Sequence, residues 1–359
     1  MVTSAFDESA LLENARSGDE RAFAELTGGY QGELRSYCYR MLGSVQDAED
    51  AVQNALLRAW RGLDKFEGRS SIRSWLYSIA TNTTLDITRH RSRRELPADF
   101  GPAAEVGAPM AEAINDPIWL EPCSEQWLGD APATPESRYE QRESVEIAFM
   151  ILLQELPPLQ RAVLILRDVL GFSAAETARQ LETSVASVTS ALQRARATAA
   201  ATLPKRSQQQ ALRALGDRAV ADLAHRYATA LETGDVEALL GLLARDATWC
   251  MPPTPTWYQG HDSLRGWLSR GPLVERWRHQ ATWANGQLAV GCYLFDTAAG
   301  RFEPAVIDVL TIDDHGAISA VTAFLLDDAT AAATFTSFGL PPDAPQATTT
   351  PRPGHSRPV

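Results

Sequence analysis

The chain has no apolar run approaching the ~18 residues that a membrane-spanning helix needs, so none of its 359 residues reads as a membrane anchor. Residues 1–14 are acidic and lack a basic stretch followed by an apolar one, which excludes a secretory signal and predicts a cytoplasmic protein. Cysteine is scarce. Cys38, Cys123, Cys250 and Cys292 lie far apart with no C-x-x-C spacing. Neither a zinc site nor a disulfide framework is indicated, so free thiols, no metal and no cofactor are expected. There is also no basic excess. A net charge of −12 argues against a protein that simply coats nucleic acid.

The distribution of charge says more than its sum. Residues 61–94 hold eight Lys/Arg against three Asp/Glu, residues 95–135 hold eight acids and no base, and residues 161–205 hold six bases against three acids. Two basic modules flank one acidic segment. The length suggests two or three domains. The pattern divides the chain into a helical module (1–95), an acidic linker (96–135), a second helical module (136–204), an α+β domain (208–335) and a disordered Pro/Thr-rich tail (336–359).

In the first module Asp19 caps a helical pattern that runs to Leu42, with Gly43 as its stop. A second helix starts near Val45, with Ala48, Val52, Ala55, Leu56, Ala59, Trp60 and Leu63 at helical spacing. A third, over 71–94, buries Ile72, Trp75, Leu76, Ile79, Ala80 and Thr83 and ends in Arg89-His90-Arg91-Ser92-Arg93-Arg94. The linker has no periodicity but contains Trp119-Leu120-Glu121-Pro122, too apolar for a pure spacer. Beyond it, helices are expected over 143–156, 159–170, 174–181 and 185–200. The last two, joined by Glu182-Thr183-Ser184, form a helix-turn-helix. The second helix of such a pair enters the major groove. Thr183, Ser184, Ser187, Thr189, Ser190 and Gln193 would then meet bases or phosphates, and Arg194 and Arg196 phosphates.

Three stretches together resemble the sigma-70 family in its sparse extracytoplasmic-function (ECF) form, over about residues 5–200. Asp47-Ala48-Glu49-Asp50-Ala51-Val52-Gln53-Asn54-Ala55-Leu56-Leu57-Arg58-Ala59-Trp60 is similar to the polymerase-clamp-binding helix. Ser74-Trp75-Leu76-Tyr77-Ser78-Ile79-Ala80-Thr81-Asn82 is similar to the promoter-melting helix, and Leu156-Pro157-Pro158-Leu159-Gln160-Arg161 through Arg196 to the second conserved domain. The resemblance implies a partner, core RNA polymerase, met by Asp47, Glu49, Asp50, Gln53, Asn54 and Leu57 at the clamp helices and by the second domain at the flap. It implies promoter DNA as the other partner, both duplex and melted. Arg69, Arg73, Asn82, Arg89, Arg91, Arg93 and Arg94 would meet the −10 element, the loop around 65–71 an extruded base, and the helix-turn-helix the −35 element. The acidic linker would thread the polymerase channel. The chain departs from the family at Asn54, where Glu is usual, at Leu56, where an aromatic is usual, and at Thr189 and Ala191, where a base is common. The last two weaken the expected −35 grip.

Residues 210–330 give two or three helices and then strands over 247–251, 276–283, 288–296, 304–313 and 318–326, with turn signals at Asn285-Gly286 and Asp314-His315-Gly316. Leu223-Ala224-His225-Arg226-Tyr227, Gly234-Asp235 and Asp246-Ala247-Thr248-Trp249 carry a resemblance to SnoaL-like α+β cone domains. Such a cone encloses a pocket, expected to include Trp249, Trp257, Tyr293 and Asp308, with Trp267, Trp277, Trp283, Tyr258 and Phe295 as further aromatic candidates. Asp308 with His261 or His279 has the chemistry of a general base, but no dyad spacing is visible, so an enzyme is not expected. A regulatory domain is, packed intramolecularly against the sigma modules with help from Trp119-Leu120-Glu121-Pro122. The alternatives are a stand-alone DNA-binding regulator with a ligand in the cone, and an isomerase or hydrolase fused to a helical module. Neither has a use for the clamp-binding helix.

Overall fold

Side-chain caps set the helix boundaries of the N-terminal half. Asp19 accepts from Arg21 N (2.8 Å) and Ala22 N (3.3 Å). Ser44 accepts from Asp47 N, and Ser71 from Ser74 N, each at 3.1 Å. These caps satisfy amides that a first helical turn leaves unpaired. The computed structural model describes residues 5–114, 118–128 and 140–344. They form two units, Met1–Glu95 with Pro117–Lys205, and Leu96–Asp116 with Arg206–Val359.

In the first unit α1 (Ala5–Arg16), α2 (Glu20–Gly28), α3 (Gln31–Leu42), α4 (Val45–Gly62) and α5 (Ile72–Thr88) pack together. The helical pattern expected from Asp19 to Leu42 is two helices, broken at Gly29-Tyr30. Gly43 ends α3 in the left-handed region (φ 68°). A Cβ there would meet Arg94 and Gln154, so glycine is required on both grounds. The α4 stripe is as expected, with Ala48, Val52, Ala55 and Ala59 buried. Helix α5 stops at Thr88 rather than Arg94, and the basic run leaves the helix.

The second helical module of this unit holds α6 (Ile147–Glu155), α7 (Pro158–Leu164) continued by a π turn (Ile165–Val169), α8 (Ala174–Gln180) and α9 (Val185–Thr202). The helix expected over 143–156 is interrupted at 144–146. There the Ser144 carbonyl and hydroxyl each accept from Arg40 Nε at 3.1 Å, which takes the backbone out of the helical ladder. Arg40 is fully buried with no carboxylate partner among the described residues, and burial pulls its guanidinium down to about 10. Arg161 sits between the modules in the same way. It donates to Met41 O (2.5 Å), Gln154 Oε1 (3.0 Å), Gln154 O (2.9 Å) and Leu156 O (3.3 Å).

The acidic linker is not a free tether. Trp119 and Leu120 are buried in the first unit, and Glu121 caps α4 by accepting from Ser44 Oγ (2.8 Å) and Val45 N (2.8 Å). A carboxylate at a helix N-terminus gains from both the free amides and the helix dipole. Glu121→Ala is expected to cost about 1–2 kcal/mol of first-unit stability, measured by urea denaturation. An unchanged midpoint would refute the capping role. Residues 115–117 and 129–135 of the expected linker lie outside the described residues.

The rest of the linker belongs to the second unit. There α10 (Gln208–Leu215), α11 (Asp217–Thr233) and α12 (Val236–Leu240) precede a sheet of β1 (Leu243–Cys250), β2 (Trp257–Gln259), β3 (Trp277–Ala284), β4 (Gln287–Asp296), β5 (Arg301–Ile312) and β6 (Ile318–Leu325). The order is β2-β1-β6-β5-β4-β3, with only β1–β6 parallel. Asn285 (φ 52°) and Gly286 (φ 66°) make the expected two-residue hairpin turn, where both central residues need positive φ. Strand β2 and helix α13 (His261–Leu268) were not foreseen. Helix α11 packs on β3 and β4. On the sheet, α14 (Asp328–Ser337) sets Phe335 against Tyr293, with ring centroids 4.8 Å apart. The tail expected to be disordered from 336 is therefore ordered further. Phe338 and Leu340 are buried, Leu340 fills the space a Cβ at Gly291 would need, and Pro341 O accepts from the Tyr293 hydroxyl (2.8 Å). Residues 345–359 lie outside the described residues.

Candidate functional site

Helix α4 turns one face to solvent. Glu49, Asp50, Gln53 and Asn54 are exposed, and Leu57 is 53% exposed, a large apolar side chain that none of the described residues covers. Asp47, expected on that face, is buried instead. It pairs with Arg91 and Arg94, themselves expected at DNA, and Arg94 is buried with it. The cause is the end of α5 at Thr88, which lets the basic run fold back over the first turn of α4. An isolated buried arginine would be costly, and the Asp47 carboxylate offsets that cost.

Of the other residues expected at the −10 element, Arg69, Asn82, Arg89, Arg91 and Arg93 are exposed. Arg69 pairs with Glu67 (2.9 Å), Arg89 with Asp86 (3.1 Å) and Arg93 with Glu95 (2.5 Å). Exposed pairs of this kind are worth little and exchange readily for phosphate. Arg73 is different. It pairs with Glu33 (2.9 Å) and lies over the rings of Tyr77 (5.1 Å) and Phe172 (4.8 Å). Trp75 is half-buried against Phe66, with centroids 4.9 Å apart, so it is part of the packing.

The helix-turn-helix forms where the sequence places it. Ser173 and Glu176 make a reciprocal capping box on α8, Glu182 takes positive φ (50°) in the turn, and Ser184 caps α9 by accepting from Ser187 N (3.1 Å). Along α9, Thr189, Ser190, Gln193, Arg194 and Arg196 are exposed, while Val188, Ala191, Leu192 and Ala195 are buried. Thr183 and Ser187 are half-buried and Ser184 is exposed. Arg196 is held by both oxygens of Asp168 (2.8 and 2.7 Å), and Thr189 donates to Val185 O (2.9 Å). The same module touches α5: Gln180 Nε2 donates to Ser74 Oγ (3.1 Å), and Ser78 Oγ donates to Gln180 O (3.3 Å).

The second unit encloses a cavity of about 560 Å³. Trp249, Trp267, Trp277 and Asp308 line it. Trp257 and Tyr293, also expected there, do not. The Trp257 indole donates to Gly101 O (2.8 Å), and Tyr293 turns toward α14, because alternate strand residues take opposite faces. Asp308 Oδ2 accepts from the Tyr227 hydroxyl (2.8 Å) and the Cys292 thiol (3.4 Å). Burial pushes its carboxyl above the usual range, against the hydrogen bond from Tyr227 and the nearby His279. His279 Nδ1 lies 3.5 Å from Glu232, and His261 instead meets Leu243 O (3.2 Å) outside the cavity. All four cysteines are buried free thiols, and burial raises the Cys250 and Cys123 thiols to about 12.

The raised carboxyl gives a pH test. Above ~3.9, the ordinary aspartate value, the unfolded chain releases the proton that folded Asp308 keeps. Second-unit stability therefore falls as pH rises through the interval up to the folded pKa. Asp308→Asn removes that loss. The variant should gain on the parent between pH 4 and pH 7 in denaturation followed by tryptophan fluorescence. An equal gap at both pH values would contradict it.

Sequence reasoning missed Arg40, Arg161 and Glu121. Each is an ordinary charged residue in the sequence, and the partners that tie it across the fold (Val45 for Glu121, Ser144 for Arg40, Met41 for Arg161) lie 76 to 120 residues away. It also missed the wall contributed by residues 107–110 to the cavity.

Comparison with known proteins places these features. Residues 26–94 match sigma-70 region 2, residues 147–198 match sigma-70 region 4, and residues 224–321 match the SnoaL-like domain. The chain is 40% identical over 347 residues to the ECF RNA polymerase sigma factor SigG of Mycobacterium tuberculosis, covering 93% of this chain and 89% of that protein. It is 32% identical over 196 residues to the RNA polymerase sigma-H factor of Pseudomonas aeruginosa, covering 55% of this chain and 93% of that one. The crystal structure of the Mycobacterium tuberculosis extracytoplasmic function sigma factor SigJ shares the fold, with a TM-score of 0.53 at 22% identity over 88% of this chain and 99% of that one. Among the described residues no helix is long and apolar enough to cross a membrane. With both sigma-70 regions, the SnoaL-like domain and 40% identity along nearly its whole length, the chain belongs to the extracytoplasmic-function family of RNA polymerase sigma factors.

Proposed function

We propose that this chain joins core RNA polymerase, directs it to promoters with −35 and −10 elements and promotes their melting, and that its C-terminal domain regulates it. The observation that carries the reading is the exposed α4 face of Glu49, Asp50, Gln53, Asn54 and Leu57, polar around one uncovered leucine, on the helix that resembles the clamp-binding helix. Arg69, Arg89, Arg91 and Arg93 supply the cations for the −10 strand and Asn82 a neutral amide, and Ser190, Gln193 and Arg194 lead the contacts to the −35 duplex. Asp47, Arg94 and Arg73 act as structure, holding the module that presents the others.

The first unit supports a closed resting form. Helix α5, which would meet the −10 element, is bonded to the helix-turn-helix through Ser74, Ser78 and Gln180. Elements ~25 base pairs apart are separated by about 80 Å of duplex at 3.4 Å per step. Those hydrogen bonds must break before both elements are bound together. The free chain should therefore bind promoter duplex poorly without polymerase, which also separates it from a stand-alone DNA-binding regulator.

The test is run-off transcription with purified core polymerase on a pool of genomic promoters. Discrete new start sites are expected with the protein and none without it. Silence with both the full chain and residues 1–206 would sink the reading. Initiation by residues 1–206 alone would assign an inhibitory C-terminal domain.

A further inference from the structure

We propose that the cavity of the second unit binds a neutral, mainly apolar small molecule bearing one carbonyl or hydroxyl group, and that residues 107–110 of the interdomain segment sense its presence. The regulatory consequence rests on the sigma-factor reading above; the site itself does not.

The cavity is built for a ligand of this class. Its volume of about 560 Å³ lies within the ~300–1,000 Å³ of small-molecule sites. Trp249, Trp267, Trp277, Leu231 and Met251 make its walls apolar. Deep in it, Asp308 is 3% exposed, and its Oδ1 has no hydrogen-bond partner while Oδ2 has two. A buried oxygen left unsatisfied is costly, and one polar atom on a ligand removes that cost. Burial raises this carboxyl's pKa and so favours its neutral form, whose Oδ1–H would donate to a carbonyl or hydroxyl oxygen, and the apolar walls around it disfavour a charged ligand.

The mouth is open and carries exposed apolar side chains beside the charged Arg270 and Glu275. Met110 is 48% exposed and Val274 is 60% exposed, and both line the cavity. Residues 107–110 come from a strap without regular structure that crosses the sheet edge and is hydrogen-bonded to it. Ala104 N donates to Trp257 O (2.8 Å), the Tyr258 hydroxyl to Ala108 O (3.1 Å), Ala111 N to Thr256 Oγ1 (2.8 Å) and Ile114 N to Pro253 O (2.9 Å). Segments outside helices and strands open locally at lower free energy than the core. A ligand touching residues 107–110 stabilises the held form by mass action. The strap lies between the two sigma modules in sequence, so occupancy fixes the tether that joins them.

The experiment uses the full chain and prodan, a neutral naphthalene ketone that accepts energy from tryptophan. Saturable one-to-one binding is expected, with hydrogen exchange in residues 102–114 slowed severalfold at saturation. Asp308→Asn, whose amide also donates, should keep the affinity within about threefold. Leu325→Trp, which fills the cavity, should weaken it at least about tenfold, or ~1.4 kcal/mol. Met110→Arg, an exposed change at the mouth that leaves the core untouched, should weaken it in the same direction if Leu325→Trp fails to fold. Absence of saturable binding, equal affinity in both cavity variants, or strap exchange that ignores prodan would overturn the proposal. Loss of binding in Asp308→Asn would overturn the neutral-ligand assignment. None of these readouts involves polymerase, so they fail or succeed separately from the transcription assay.

Discussion

Leu57→Asp is expected to lower polymerase-dependent initiation at least about tenfold, equivalent to ~1.4 kcal/mol of lost docking energy. Leu57 is the exposed apolar centre of a polar helix face, with Asp50, Gln53 and Asn54 around it. Interfaces concentrate their energy in a few such groups, ringed by polar contacts that exclude water. A carboxylate at that position must be desolvated on docking with no partner assigned to it. Because Leu57 contributes little to the core, the free chain should melt close to the parent, within the ~0.5 kcal/mol usual for surface changes. The pair of measurements is run-off transcription and thermal unfolding. Full initiation by Leu57→Asp would move the polymerase contact off α4. A large fall in melting temperature would mean that the leucine is structural.

Arg161→Ala is expected to have the largest effect on stability. Its guanidinium ties α7 to Met41 O on α3, and also satisfies Gln154 O and Leu156 O. Burial without a carboxylate pulls it down to about 10, so its charge is tolerated only through these carbonyls. Truncation takes the donor from four buried acceptors, Gln154 Oε1 included, at ~1–3 kcal/mol each, and partial relaxation brings the expected cost to about 3–5 kcal/mol. For a unit of this size that corresponds to a fall of roughly 6–20 °C in melting temperature. Arg161→Met, which keeps the volume but not the donors, should fall nearly as far; recovery by methionine would make the role one of packing. If the closed form restrains the helix-turn-helix, Arg161→Ala should also raise initiation at a temperature where it stays folded. Unchanged initiation in a folded, loosened variant would leave the closed form without a regulatory part.

Local chemistry was legible in the sequence wherever caps, glycines and periodicity act within a few residues. Ser44, Ser71, Ser173 and Ser184 start helices because their hydroxyls reach amides three positions on. Asn285-Gly286 makes its hairpin because only such a pair accepts two positive φ values cheaply. The exposed faces of α4 and α9 were found for the same reason, exposed and buried positions being written at 3.6-residue spacing. The expected ends of α5 and of the disordered tail failed. Basic run and tail carry no periodicity of their own, and long-range partners, Asp47 for one and the α14-side face of the sheet for the other, decide their course.

What the sequence determined by itself is therefore the family, the order of its modules and the faces of its principal helices, since these depend on residue spacing along one element. What only the tertiary structure decided is which charges are spent inside the protein and where the linker goes. Asp47 and Arg94 neutralise each other, Arg40 and Arg161 hold two modules together through carbonyls, Glu121 caps a helix, and residues 101–114 close over the second unit. Each of these joins groups from tens to more than a hundred residues apart. An arginine or a carboxylate in a sequence shows its charge, and the fold alone sets whether that charge meets solvent, a partner molecule or a buried counterpart.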